Sequence, residues 1–136
     1  MDKGFLVRLL IAAVVSAAST PAFACREYHF PTKLERPFDN VVLVSVTKAK
    51  FSGDQSRFYS WKASARVVRV IAGEADRASY EFFGAWQSTG CERSKPPPAK
   101  GEMWVLYLEQ ELGTLVVARE LPLTVAQEID PRVSAH

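Results

Sequence analysis

Two cysteines are the residues of this chain whose type and position point most directly to chemistry. Cys25 directly follows the tripeptide Ala22-Phe23-Ala24, and Cys91 is the only other cysteine. Redox-active pairs are usually spaced C-x-x-C, and this pair is not. The pair therefore favours a structural disulfide. It would close a loop of about 67 residues and stabilise the fold by roughly 4 kcal/mol in the chain-entropy treatment.

Other reactive side chains are scarce and form no known catalytic pattern. The histidines are His29 and His136, and a metal site built on Cys25 and His29 would lack two ligands. A serine hydrolase would need His29 as its base, but the sequence has no Gly-x-Ser-x-Gly motif. It also has no phosphate-binding glycine loop and no H-E-x-x-H. We interpret three carboxylates as solvated surface: Glu81, Glu92 and Glu102. We expect no enzymatic activity, no metal and no cofactor.

Residues 1–24 have the features of a secretory signal. A basic start is followed by an uncharged apolar run over residues 9–18 and by the small-residue site Ala22-Phe23-Ala24. The run is shorter than the roughly 20 residues of a membrane-spanning helix. Cleavage after this site makes Cys25 the first residue of the mature chain. An uncleaved anchor, or a lipid on Cys25 in place of the disulfide, stays open as an alternative.

Residues 25–136 have the size of a single small domain. Without Asp2, Lys3 and Arg8, the 17 basic and 15 acidic residues fall to 15 and 14, a net charge of +1. Such a balance gives no electrostatic reason to expect nucleic acid as a partner. We expect a periplasmic or secreted protein with no membrane span after processing, and a monomer.

The mature chain has the pattern of five short strands followed by a helix. The predicted strands are Asn40–Thr47, Tyr59–Ala72, Ala78–Trp86, Glu102–Glu109 and Leu115–Leu121. The alternation of apolar and polar residues slips at Val67-Val68, which predicts a β-bulge. Turn residues at Ser52-Gly53-Asp54 end the first strand, and a tight turn over Gln110–Gly113 joins the last two strands as a hairpin. Thr124-Val-Ala-Gln127 predicts a capping box at the start of a helix that Pro131 ends, with a frayed tail to His136. This order favours a small closed barrel over a two-layer sandwich.

Several of these stretches resemble the netrin-module and metalloprotease-inhibitor superfamily. They are a cysteine directly after the signal, Asn40-Val-Val-Leu-Val-Ser-Val-Thr-Lys48, Trp61-x-Ala-x-Ala-x-Val67-x-x-Val70-x-x-Gly73, a later cysteine like Cys91, and Lys100-Gly101-Glu102-Met-Trp-Val-Leu-Tyr107. The resemblance implies a divergent, bacterial-type member. Its fold would be an all-β, five-stranded OB-like barrel with a short C-terminal helix.

The resemblance also implies a role for Cys25. Inhibitory members chelate the zinc of a metalloprotease with the amine and carbonyl of the N-terminal cysteine. They begin with Cys-x-Cys and use several disulfides, whereas this chain has Cys25-Arg26-Glu27 and forms one disulfide at most.

Aromatic and proline residues are the other candidates for binding. Of the three tryptophans, we expect Trp61 and Trp104 in the core, whereas Trp86 fits the core or a binding surface equally well. Trp86 stands beside Gly84, and the prolines Pro96, Pro97 and Pro98 form a stiff, extended loop near Cys91. Our first hypothesis is an exported, disulfide-pinned module that binds a protein or another cell-envelope component through these residues and Cys25. Inhibition of an extracytoplasmic metalloprotease through Cys25 is the alternative.

The intact mass of the exported protein tests this part of the interpretation. We expect the mass of residues 25–136, increasing by two hydrogens on reduction. A mass that reduction leaves unchanged would contradict the disulfide, and an added diacylglycerol would assign Cys25 to a lipid anchor.

Overall fold

The computed structural model describes residues 29–54, 58–87 and 95–135 of the chain. Five antiparallel strands form one sheet. They are β1 (Asn40–Asp54), β2 (Phe58–Ala72), β3 (Ser79–Gln87), β4 (Met103–Glu111) and β5 (Thr114–Pro122). Two short helices follow, α1 (Leu123–Ile129) and α2 (Pro131–Ser134). The prediction of an all-β fold with a short C-terminal helix is therefore confirmed.

The strand order in the sheet is β3-β2-β1-β4-β5. The first four strands thus have the arrangement of a Greek key, in which the fourth strand returns to lie beside the first. The outer strands are β3 and β5, and within the described residues they are not hydrogen-bonded to each other. The sheet is open along this line, so the barrel closure predicted from the sequence is not complete.

The central strand β1 is buried on both faces at its start. Val42 and Val44 pack into one apolar cluster, with the inward side chains of β2, β3 and β4. Val41 and Leu43 pack into a second cluster, with residues from the two helices. The β-branched residues that favour a pleated strand thus supply apolar contacts to both sides of the sheet.

The bulge predicted in β2 is confirmed. Leu43 of β1 pairs with Arg69 and Val44 pairs with Val67, so Val68 has no partner of its own in β1. An extra residue of this kind bends a strand and increases its twist. The bend lets β2 curve round the first apolar cluster and places β3 over it.

The end of β1 differs from the prediction. Turn residues at Ser52-Gly53-Asp54 led us to expect the strand to stop there, but Ser52 pairs with Ser60 and Asp54 pairs with Phe58. The ladder of backbone hydrogen bonds with β2 outweighs the local turn preference. The prediction of a break at Ser52 is therefore wrong, and the two strands are paired to their ends.

The hairpin of β4 and β5 has the tight turn that the sequence predicted. Glu111 pairs with Thr114, and the two residues between them have positive φ angles, 48° at Leu112 and 84° at Gly113. Two consecutive positive φ angles define a type I′ turn, whose twist matches that of the flanking strands.

The start and the end of the helical segment both differ from the prediction. Helix α1 begins at Leu123 after Pro122, with no side-chain cap, so the capping box at Thr124 is wrong. Pro131 does separate the helices, but it is the first residue of α2, which Asp130 caps by accepting the N–H of Arg132 at 3.0 Å. Val133 is buried against the sheet, so the tail is ordered through α2 rather than frayed.

Gly84 of β3 lies against the ring of Trp61, which gives a test of the packing. A Cβ at this position would lie 2.2 Å from Cζ2 of the buried Trp61 side chain. Because the ring has no room to move, we expect Gly84→Ala to lower the free energy of unfolding by about 1–3 kcal/mol in urea titrations. The double variant with Trp61→Phe should lose less than the sum of the two single losses. A Gly84→Ala protein as stable as the wild type would contradict this packing.

Candidate functional site

A groove runs along the open line between β3 and β5, and we call it the seam groove. The two strands run in the same direction, since Asp76 and Arg77 before β3 contact Leu115 at the start of β5. The groove has a volume of about 530 Å³, within the range of about 300–1,000 Å³ typical of ligand pockets. Its lining residues are Arg77, Ser79, Tyr80, Glu81, Phe82, Phe83, Leu115, Val116, Val117 and Glu120.

One end of the seam groove is closed by a polar contact that we call the Asp76 clip. The Asp76 carboxylate accepts the backbone N–H of Leu115 at 2.9 Å and the hydroxyl of Tyr80 at 2.7 Å. Arg77 donates to Asp76 at 3.0 Å and to the carbonyl oxygen of Leu115 at 3.1 Å. The clip therefore satisfies both backbone groups of Leu115 that face away from β4.

The electrostatics of the clip follow from these bonds. Hydrogen bonds from Arg77, from the N–H of Leu115 and from Tyr80 hold the pKa of Asp76 well below its ordinary value. Burial and the hydrogen bond to Asp76 raise the pKa of Tyr80. Asp76 is thus a carboxylate at neutral pH, and the protonated hydroxyl of Tyr80 donates a hydrogen bond to that carboxylate.

Lys95 closes the other end of the groove. Its backbone N–H donates to the carbonyl oxygen of Ala85 in β3 at 2.7 Å, and its carbonyl oxygen accepts Nε1 of Trp61 at 2.8 Å. The side chain is buried, and Nζ donates to the carboxylate of Glu120 in β5. Nζ also lies 5.2 Å from the ring centroid of Trp104. One residue thus joins both outer strands of the sheet.

Burial lowers the pKa of Lys95, and the carboxylate of Glu120 opposes that shift. A buried ion pair of this kind depends on its geometry, because both charges have left water. No sequence pattern singles out Lys95. The proline that follows restricts the backbone of Lys95 to extended conformations, but nothing in the sequence assigns Glu120 as the partner of its side chain.

Between its two closed ends, the seam groove exposes backbone groups of β3. The carbonyl oxygen of Ala78 accepts the N–H of Val67 in β2 at 2.9 Å, whereas that of Ala85 points the other way, to Lys95. Backbone groups alternate between the two sides of a strand. Glu81 and Phe83 therefore direct their N–H and C=O groups into the groove, where a ligand can bind them.

The predicted proline loop lies at a second, neighbouring cleft, which we call the proline cleft. Pro96 is exposed and Pro97 half-buried, and both line this cleft of about 460 Å³. Pro98 is buried, so it belongs to the packing of the loop rather than to a binding surface. The cleft also contains the apolar side chains of Phe30, Met103, Trp104, Pro122 and Leu123.

The other predicted site residues are placed only in part. Trp86 pairs with Tyr59 through the backbone in β3, and its side chain lies outside what the structure describes. Cys25 and Cys91 lie outside the described residues, so the disulfide stays a prediction. Trp61 and Trp104 are buried in the first apolar cluster, as expected.

The described residues contain no group of three or more His, Cys, Asp or Glu side chains placed to hold a metal ion. Neither described helix is long and apolar enough to cross a membrane.

Comparison of the chain with protein-family models, with curated proteins and with solved structures gives no match. The netrin-module resemblance therefore stays a prediction.

Asp76 gives a test of the clip through the pH dependence of stability. A folded-state pKa below the ordinary 3.8 means that the unfolded chain binds the proton first. The contribution of Asp76 is therefore present above about pH 4 and is lost as the pH falls further. We expect Asp76→Asn to be less stable than the wild type at pH 7, with a difference that shrinks in acid. Urea titrations across this range measure it.

The matched control is Glu74→Gln, which removes a nearby exposed carboxylate that forms no salt bridge with the described residues. Its stability should follow that of the wild type at every pH. An Asp76→Asn protein as stable as the wild type at pH 7 would show that the clip contributes nothing to the stability of the fold.

Proposed function

We propose that the protein is an exported binding module that takes up an extended segment of a partner protein in the seam groove. The observation that carries this proposal is the direction of the backbone groups of Glu81 and Phe83, which face an open groove instead of a neighbouring strand. An extended peptide that pairs with such an edge gains main-chain hydrogen bonds, a recognised mode of peptide binding.

The architecture that supports the site is, in this proposal, a partly open OB-like barrel. An OB fold is a five-stranded, partly open Greek-key barrel. The order β3-β2-β1-β4-β5 contains a Greek key, and the outer strands run in the same direction. Lys95 and the Asp76 clip bridge these strands at opposite ends. The seam groove is the gap left where such a barrel does not close.

The way in which side chains cover the unpaired edges of β3 and β5 also favours a ligand in the seam groove. Unpaired strand edges attract other chains, and soluble proteins usually cover, charge or interrupt them. Within the described residues, side chains cover both ends of the line between β3 and β5, and the stretch at Glu81 and Phe83 is left open. An edge that is protected only at its ends is well suited to a short extended segment.

The groove also constrains the segment that it takes up. Since the two outer strands run in the same direction, an incoming strand is antiparallel to both or parallel to both, and antiparallel pairing is the more stable. Its side chains would alternate between the apolar floor near Phe82 and the exposed rim near Phe83. An alternating apolar and polar segment is therefore the expected ligand.

Export is part of the proposal and is supported by the signal in residues 1–24. Cys91 lies in the chain between β3 and Lys95. A disulfide to Cys25 would therefore restrain the segment that carries Lys95 to the end of the groove. The alternative role as a metalloprotease inhibitor depends on Cys25, which lies outside the described residues, and stays a prediction.

A proline substitution tests strand addition. In Glu81→Pro the outward-facing N–H is lost, while the ladder with β2 uses the neighbouring residues and is retained. Glu81→Ala is the matched control, because it removes the same side chain and keeps the N–H. The probes are ten-residue peptides enriched from a displayed random library on the wild-type protein.

We expect the enriched peptides to bind Glu81→Ala like the wild type and to bind Glu81→Pro on the order of tenfold more weakly. Equal binding to both variants would overturn the proposal, as would a failure to enrich any peptide. If Glu81→Pro does not fold, the wild type is tested with peptides methylated on alternate backbone nitrogens. One set of alternate positions should then abolish binding, and the other should leave it unchanged.

A further inference from the structure

A second surface, on the outer face of β1, β2 and β3, carries an unusual arrangement of charges. Lys50 of β1 lies directly opposite Lys62 of β2, and Phe83 of β3 follows in the same row. The next row contains Lys48, Ser64 and Glu81. Arg66 adds a further exposed cation on β2. In these neighbouring rows, four cations thus stand against one carboxylate.

An exposed aromatic ring accompanies these cations. Phe83 is 62% exposed, although large apolar side chains normally lie inside. It lines a shallow cleft of about 430 Å³ that Lys50 and Lys62 share. We call Lys50, Lys62 and Phe83 the cationic–aromatic patch.

Among the described residues, little compensates for this arrangement of charges. Like charges directly opposite each other on neighbouring strands destabilise a sheet. Glu81 approaches Lys62 at 3.5 Å, but both side chains are about half exposed, and ion pairs of this kind contribute little. Lys50 forms no salt bridge within the described residues. An anion placed between Lys50 and Lys62 would offset their repulsion.

We propose that the cationic–aromatic patch docks the protein on the surface of an anionic membrane. Lipid phosphates supply the negative charge that offsets the repulsion between the two lysines. The long lysine side chains reach these phosphates while the protein stays at the membrane surface. The ring of Phe83 enters the boundary between headgroups and acyl chains, where aromatic residues are favourable. A purely ionic partner such as an acidic peptide would leave this ring exposed.

Membrane docking through the cationic–aromatic patch does not depend on strand addition in the seam groove. The patch binds through side chains on the outer face of the sheet, whereas the seam groove binds through backbone groups at the edge of β3. Each test therefore fails independently of the other.

Co-sedimentation with lipid vesicles tests the docking. The wild type should bind vesicles of equal parts phosphatidylcholine and phosphatidylglycerol and not those of phosphatidylcholine alone, with binding that weakens as salt is added. In Lys50→Gln/Lys62→Gln the partition coefficient should fall on the order of tenfold, because each cation near an anionic surface contributes about 1 kcal/mol. The matched control is Lys33→Gln/Lys100→Gln, which removes the same charge from two exposed residues outside the patch and should bind like the wild type.

The aromatic part has its own control. Phe83→Ser should weaken binding, whereas Leu112→Ser, at a hairpin tip where the side chain is 98% exposed, should not. Equal partition of the two lysine double variants, or of the two serine variants, would overturn the proposal. So would tighter binding to oligothymidylate than to the vesicles, since that would make single-stranded nucleic acid the occupant.

Discussion

The contact on which the rest of this structure depends is the one made by Lys95. Its backbone pairs with β3, its carbonyl oxygen accepts the indole N–H of Trp61, and its buried ammonium pairs with Glu120 of β5. An ammonium buried among apolar groups is costly unless its partner is well placed. The positions of both outer strands are therefore coupled through one side chain, and the groove between them keeps a defined width at that end.

The coupling explains how an open sheet can hold its two outer strands in fixed positions. At the opposite end Asp76 and Arg77 occupy the backbone groups of Leu115 that a sixth strand would otherwise use. The remaining groups of β3 are held in an extended conformation by the ladder with β2. A ligand that binds them meets a preorganised edge and loses little of its binding free energy to ordering the protein.

The accuracy of the sequence prediction follows the range of the interaction involved. The alternation in β2, the slip at Val67-Val68 and the tight turn before β5 are local patterns, and all were predicted correctly. The turn expected at Ser52 and the capping box at Thr124 are local patterns too, but both were wrong. In the first case pairing with β2 continues the strand. In the second, β5 leads directly through Pro122 into the helix and leaves Thr124 inside it.

By itself the sequence determined how many strands there are, where they lie along the chain, the bulge in β2 and the apolar faces. These features depend on side-chain periodicity along one segment. Only the tertiary structure decided that β3 and β5 stay unpaired, that Lys95 meets Glu120 and that Lys50 faces Lys62. Each of these depends on register and curvature between segments distant in the chain. A one-residue shift of register turns every side chain of a strand to the other face, so composition and spacing leave such contacts open.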